Sequence, residues 1–398
     1  MSRTLTARWV FPVSGPPLAN GTVTVTGDRI SAVLTRGERS ADEDLGNVAL
    51  VPGLVNPHTH LDLSGARGLI PPTDPDHFTD WLKGVIAYRR TRSTEQTQAD
   101  IRAGLAECLK HGTTLVGDIA SEGASWDALA QAPTRAVVFR ELIGLSGSRF
   151  TEAHAALNRW RKDHVTPATC RAAASPHAAY SVSGPLIRLV AHQGWTMTVH
   201  LAESPAEMEL LEHHSGPFRD FLASMNLWEP GQLADSLRFI LWRTRRAPHV
   251  LFAHGNYLPP DTRLRDNQSV VYCPRTHAAF GHPPHPFRAF LARGVRVCLG
   301  TDGLASNPDL DVLSEARFVR SRYPDIPAAQ LLRMVTLSGA EALGWADEAG
   351  SLEPGKSADL VAVPLPNTDH ADPHELLLAQ HPGERRTMFR GAWRSSTP

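Results

Sequence analysis

Long apolar runs, paired cysteines and lysines are scarce in this chain. No stretch approaches the roughly 18 apolar residues of a helical membrane span, and the opening residues MSRTLTARWVFPVSG hold no apolar core of a secretory leader. A cytoplasmic protein with no membrane partner is therefore expected. The four cysteines, Cys108, Cys170, Cys273 and Cys298, are scattered with no C-x-x-C pair, so they read as buried reduced thiols rather than a disulfide framework. The lysines are Lys83, Lys110, Lys162 and Lys356, and arginine supplies the other basic residues. A formal net charge of -1 leaves no electrostatic footprint for nucleic acid, which points instead to a small-molecule substrate.

What is present is ordinary for a globular protein: 398 residues, 42% hydrophobic and 20% charged, enough for a large barrel with an appendage. From Leu5 to about Asn47, alternating segments such as TVTVTG and DRISAVL read as strands joined by a Gly-Asp turn. GSLEPGKSADLVAV and MFRGAW near the other end read the same way. Residues 1–48 and 350–398 are thus expected to form one composite β-sandwich built from both chain ends.

Residues 49–349 alternate short apolar runs with helical stretches, the pattern of βα units around a parallel sheet. Eight runs stand out: Val48 to Val55, Thr113 to Ile119, Ala136 to Ile143, Cys170 to Ser175, Thr196 to Leu201, His249 to Ala253, Ser269 to Cys273 and Val295 to Leu299. Eight such units predict an α/β fold, a closed (β/α)8 TIM-type barrel with its active site at the C-terminal strand ends. Between the first two, Ile101, Leu105, Cys108 and Leu109 keep helical spacing, and Gly112 stands where a C-cap belongs. The connections Asp62 to about Ala99 and Glu203 to Leu237 exceed ordinary βα loops. Each would project over the barrel mouth, either as a lid or substrate pocket or as packing for a subunit contact, of which a homodimer is the simplest form.

Chemistry concentrates at the predicted strand ends. His58 and His60, two positions apart in VNPHTHLDLS, point the same way on a strand and can converge on one cation. His200 and Glu203 follow in VHLAES, His254 in FAHGN and Asp302 in LGTDGLASN. Each alone has an ordinary explanation, a satisfied core histidine, a helix-initiating carboxylate or an N-cap. Their joint placement at four separate strand ends predicts a metal site, with His58, His60, His200 and Asp302 as ligands. Imidazole and carboxylate donors without thiolate suit one divalent ion, zinc foremost, with iron and manganese as alternatives. Such a cation lowers the pKa of a water from about 16 toward about 7, making hydroxide available at neutral pH. Asp302 is then expected to accept the water's proton, His254 to hold its direction of attack, and Glu203 to carry a proton to the substrate.

Over essentially its whole length the chain resembles the amidohydrolase superfamily, in the branch of cytosine deaminase and the triazine and aminopurine deaminases and chlorohydrolases. The motifs are PGLVNPHTHLDLS, SPHAAYSVS, HLAES, AHGNYL, VVYCPRTHAAFG and LGTDGLASNPDLD, with GSLEPGKSADLVAV for the accessory strands. The resemblance implies the same four ligands, Glu203 as proton shuttle and His254 as the residue orienting the attack. It also implies a single metal, because a two-metal member would carry a bridging lysine at the fourth strand end, where this chain has SPHAAY. By the same resemblance His177 of the SPH motif faces the substrate; the alternative is a cap on the following helix.

The chain departs from the commoner patterns in SPHAAYSVS and in CPRTH, where His277 replaces an asparagine. HTHLDLS, FTDWL, HLAES followed by GPFRDFL, and CPRTHAAFGHPP together are similar to the aminodeoxyfutalosine deaminases of menaquinone biosynthesis. The expected reaction is hydrolytic deamination of a 6-aminopurine. Trp81 would stack on the base or pack the lid, and Arg149 would bind a carboxylate or stay solvated. The alternatives are adenosine, methylthioadenosine or S-adenosylhomocysteine as substrate, a triazine-type amino- or chlorohydrolase, and a catalytically silent scaffold.

Overall fold

The computed structural model describes residues 2–164 and 167–394. Eight parallel strands form a nearly closed barrel in sequence order: Leu54–Thr59, Thr113–Ala120, Arg135–Leu142, Cys170–Pro176, Met197–Leu201, Val250–His254, Gln268–Tyr272 and Arg296–Leu299. They are called here the first to eighth barrel strands. The seam between the eighth and the first is tied by residues just beyond the eighth strand, bonded to residues within the first. There the Asn56 amide donates to Thr301 Oγ1 at 2.8 Å, and the Asp302 N–H donates to the His58 carbonyl at 3.1 Å. Val55, Leu115, Val137, Phe139, Leu251, Val271 and Cys298 fill the interior, and Leu343 and Trp345 belong to the same buried cluster. All four cysteines are buried and free, as the sequence implied.

The helix before the second strand spans Thr94–Lys110. Ser93 and Gln96 form a reciprocal capping box at its start, and Gly112, at φ +86°, ends it in the left-handed conformation predicted for that position. Ile101, Leu105 and Cys108 are buried along one face, so the 3.6-residue period marks the side that packs on the barrel.

The first apolar run required correction. Val48 to Val55 is not one barrel strand but two strands in different sheets, Val48–Pro52 and Leu54–Thr59, broken at Gly53. A Cβ at Gly53 would sit 1.9 Å from Thr114 Oγ1, so only glycine lets the chain pass here against the second barrel strand. The Gly53 N–H turns instead to the Asp359 carbonyl at 2.8 Å. Both strands are buried throughout most of their length, and so the sequence reads as one continuous run.

Val48–Pro52 lies in a six-stranded sheet, antiparallel to Leu360–Pro364 and parallel to Trp9–Val10. A four-stranded sheet of Arg29–Leu34, Thr22–Thr26, Ser2–Thr6 and Glu43–Asp44 faces it. Leu5, Val23, Val25, Ile30, Leu50, Leu360 and Met388 form the apolar layer between them. No helix among the described residues is long and apolar enough to cross a membrane.

The two long connections meet. The first carries the helix Phe78–Thr91 and the second the helices Pro205–His213 and Pro217–Ser224. Phe78 contributes to one apolar cluster with Phe218, Phe221 and Leu222, joined by Tyr180 and Phe280. Tyr180 stacks on Phe218 at 4.0 Å, and Trp81 meets Phe280 edge-on at 5.1 Å.

Candidate active site

The strand alternation brings His58 and His60 to the same rim as His200, His254 and Asp302, all buried. His60 Nε2 lies 3.2 Å from His200 Nε2, and Asp302 Oδ1 lies 3.5 Å from His60 Nε2 and 3.6 Å from His58 Nε2. Donor atoms of His58, His60 and His200 lie within 4.8 Å of one another, as do those of His58, His254 and Asp302. Nitrogen ligands roughly 2.0–2.1 Å from a tetrahedral ion stand about 3.4 Å apart. The observed separations match that edge. Neither ring nitrogen of His58 has a hydrogen-bond partner, nor does His60 Nδ1, although all three are buried. Buried polar atoms are rarely left unpaired without a functional reason. His200 Nδ1 donates to the His177 carbonyl at 3.1 Å, which leaves the Nε2 lone pair facing its neighbours. Burial drives the pKa of His60 and His200 well down, so both are neutral, the state in which imidazole binds a cation. The residues present fit one divalent ion.

Asp302 and His254 both sit at positive φ, +60° and +66°, and Ala202, just before Glu203, at +53°. Left-handed backbone at non-glycine positions is costly and clusters where side-chain aim matters. Ser306 Oγ donates to Asp302 Oδ2 at 2.6 Å, leaving Oδ1 toward the imidazoles. Burial alone would raise the Asp302 pKa, but the rings of His58, His60 and His254 bring it well below the usual carboxylate range. Glu203 behaves oppositely. Burial first, then the charges of Asp302 and Glu207, push its carboxyl well above that range. Its Oε1 lies 3.3 Å from His254 Nε2.

His177 is joined to the barrel by a chain of charges that the sequence did not reveal. Its Nδ1 lies 2.8 Å from Glu141 Oε1, and Nε2 lies 3.2 Å from the Tyr180 hydroxyl. Glu141 Oε2 accepts from Arg89 at 3.1 Å, and Arg89 Nε reaches Asp62 Oδ2 at 2.9 Å. Arg89 belongs to the helix Phe78–Thr91, so the first insertion is pinned by an ion pair to residues beside the histidine cluster. The His177 and His200 rings lie 4.5 Å apart.

Trp81 stands in the apolar cluster of the insertions, and its indole N–H is buried without a partner. Arg149 lies on the first turn of the helix Gly147–Asp163 with 62% of its side chain exposed, 3.8 Å from Glu152. No hydrogen bond or ion pair links it to the buried histidines. Glu207 was also missed. Its carboxylate accepts the backbone N–H groups of Ala202 and Glu203 at 3.1 and 2.9 Å, and the available signal was the S-x-x-E spacing from Ser204.

The description "Amidohydrolase family" matches residues 49–396. A 5-methylthioadenosine/S-adenosylhomocysteine deaminase of Moorella thermoacetica is 28% identical over 379 residues, covering 89% of this chain and 84% of the relative. An aminodeoxyfutalosine deaminase of Deinococcus radiodurans is 29% identical over 369 residues, 86% of each chain. The crystal structure of Helicobacter pylori aminofutalosine deaminase in complex with methylthio-coformycin superposes with a TM-score of 0.85 at 23% identity, over 99% of this chain and 100% of that one, which shows a common fold. With a family match over residues 49–396 and both relatives aligned over more than four-fifths of each chain, this chain belongs to the amidohydrolase family.

Proposed function

We propose that this hydrolytic deaminase removes the amino group of a 6-aminopurine nucleoside, with 6-aminodeoxyfutalosine of the menaquinone route as its first-choice substrate. The observation that carries the reading is the pairing of the buried Glu203 with His254 at 3.3 Å, beside Asp302, with burial raising the Glu203 carboxyl and the surrounding imidazoles lowering that of Asp302. Two titratable groups driven apart in pKa within one pocket are the acid and the base of a proton-transfer reaction. Both kinds of relative named above act on aminopurines by their names.

His58, His60, His200 and Asp302 hold one divalent cation in this reading, zinc by the character of the donors. When bound, the cation acidifies water and so supplies hydroxide at neutral pH. Asp302 takes the proton released as water attacks the ring carbon that bears the amino group, and His254 fixes the direction of that attack. Glu203 gives its proton to the adjacent ring nitrogen, which makes the carbon electrophilic. Asp302 passes its proton to the amino group so that ammonia leaves, Glu203 takes back the hydroxyl proton as the carbonyl forms, and the base becomes a hypoxanthine. His177, held by Glu141, faces the ring, and Trp81 forms part of the wall above it with an indole N–H free for a substrate acceptor. Arg149, exposed and paired with Glu152, carries no part of this reading.

Ammonia release from adenosine, methylthioadenosine, S-adenosylhomocysteine and aminodeoxyfutalosine, measured on zinc-loaded protein, tests it. The expected result is the highest kcat/KM on aminodeoxyfutalosine. Preference for another member of the panel would shift the substrate, and no turnover of any aminopurine would end the proposal in favour of triazine-type chemistry or a silent scaffold.

A further inference from the structure

The segment GHPPHPF after the seventh barrel strand contains a histidine, His285, that the reaction above does not use. It is buried, and its two ring nitrogens are fully occupied. The Phe287 N–H donates to Nδ1 at 2.9 Å, so Nδ1 carries the lone pair and Nε2 the proton. Nε2 then donates to the backbone carbonyl of His254 at 2.8 Å. The ring itself is clamped by stacking on Tyr272, 4.1 Å away at 23°.

The His254 carbonyl needs such a donor. The pairing of the sixth strand with the seventh ends at Ala253, one residue short of it. His254 has φ +66° and Gly255 φ +67°, two successive left-handed residues that turn the chain out of the sheet. A buried carbonyl at that turn has no ladder partner of its own, and leaving it unpaired is costly. The backbone rotation that sets this carbonyl also sets the direction of the His254 imidazole, whose Nε2 must stay 3.3 Å from Glu203.

We propose that His285 is a positioning residue for His254: its Nε2–H, fixed in tautomer by the Phe287 N–H, holds the left-handed turn that aims the His254 ring. The inference rests on the role given to His254 under Proposed function, and it concerns direction of attack, not substrate affinity. Loss of the donor therefore lowers kcat and leaves KM.

Two substitutions separate the two ring nitrogens. Asparagine places an acceptor where Nδ1 was and cannot reach His254, whereas glutamine places an N–H where Nε2 was. H285N is expected to lose about 100-fold in kcat with KM within about twofold, and to bind metal in wild-type amount. H285Q is expected to return kcat to within about fivefold of wild type while retaining the same KM. Equal loss in both variants, or no loss in H285N, overturns the inference. Should H285N fail to fold, H285Q decides alone: a kcat near that of H254N overturns it, and retained kcat supports it. The double variant H254N/H285N is expected to match H254N alone, and multiplied losses overturn the inference. H254N is also the control on the underlying reading: if H254N retains wild-type turnover, the role given to His254 fails, whatever His285 does.

Discussion

Glu207 grips the backbone of Glu203 from four residues downstream, one carboxylate oxygen on the Ala202 N–H and the other on the Glu203 N–H. The left-handed turn at Ala202 is thereby held from within the following helix, and the Glu203 carboxyl is presented at a fixed height above the barrel. Glutamine at position 207 offers one acceptor in place of two. E207Q is expected to lower kcat by about 10–100-fold with the metal retained, measured by ammonia release alongside metal content; unchanged kcat would show that the clamp does not matter.

The same residue sets a pH dependence of stability. Burial pushes the Glu207 carboxyl up to about 7 from an ordinary 4.5, so between these values the folded state holds the proton more tightly than the unfolded state. The stability this group contributes is largest below pH 4.5 and is lost as pH rises through 7. At roughly 1.4 kcal/mol per pKa unit the change is on the order of 3 kcal/mol. E207Q does not titrate there, so its stability relative to wild type is expected to improve from pH 5 to pH 8 by about that amount. Urea midpoints of both proteins at the two pH values check the sign, with all other titrating groups common to the pair.

Glu203 is the residue assigned the proton that reaches the ring. E203Q keeps the size and the hydrogen-bonding capacity but cannot transfer that proton, and a loss of about 1,000-fold or more is expected. Bound metal should be unchanged, because Glu203 lies outside the ligand set. Metal analysis and turnover on one sample separate a proton-transfer defect from a lost ion.

Removing the cation should be reversible and stabilising when undone. Chelated protein is expected to be inactive, to regain activity with zinc, and to gain about 2.7 kcal/mol when free zinc stands at 100 times its Kd. H60A is expected to bind little metal and to show no such gain, since it removes the nitrogen 3.2 Å from His200 and 3.5 Å from Asp302. A zinc-independent melting temperature in the wild type would contradict the ligand assignment.

Arg89 neutralises two carboxylates at once, those of Asp62 and Glu141. Its replacement by methionine leaves both charges buried, which typically costs about 3–5 kcal/mol. R89M is expected to melt lower by that measure and to raise KM, because Glu141 would no longer hold His177 in place. A double variant R89M/E141Q should recover part of the stability, and additive losses would argue against coupling through the ion pair.

The histidine cluster was legible because period-two alternation and an apolar run fix where a strand ends and which way its last residues face. HTH, HLAE, AHG and TDG each stand at such an end, and the structure gathers their side chains. Arg89 was not legible, because in YRRTR nothing local says which arginine turns toward the barrel and which toward solvent. Glu141 ends an apolar strand and looks like an edge charge until its partners, far away in sequence, are seen. Carboxylate recognition drew attention to Arg149, but a residue on the first turn of a surface helix has no burial to confer a role. The break at Gly53 was hidden because two strands buried on both sides of it leave no polar residue to mark the boundary.

The strand Val48–Pro52, which delivers the chain to Gly53, is paired with Leu360–Pro364 from the far end of the molecule. The first two histidines are therefore steadied by a segment that is synthesised after every other member of the cluster, Asp302 included. A nascent chain stalled before residue 360 has all the nitrogen and oxygen donors yet lacks the brace for the first pair. The support beneath the first pair is thus a contact between segments more than 300 residues apart in the chain, formed only when residues 360–364 have docked.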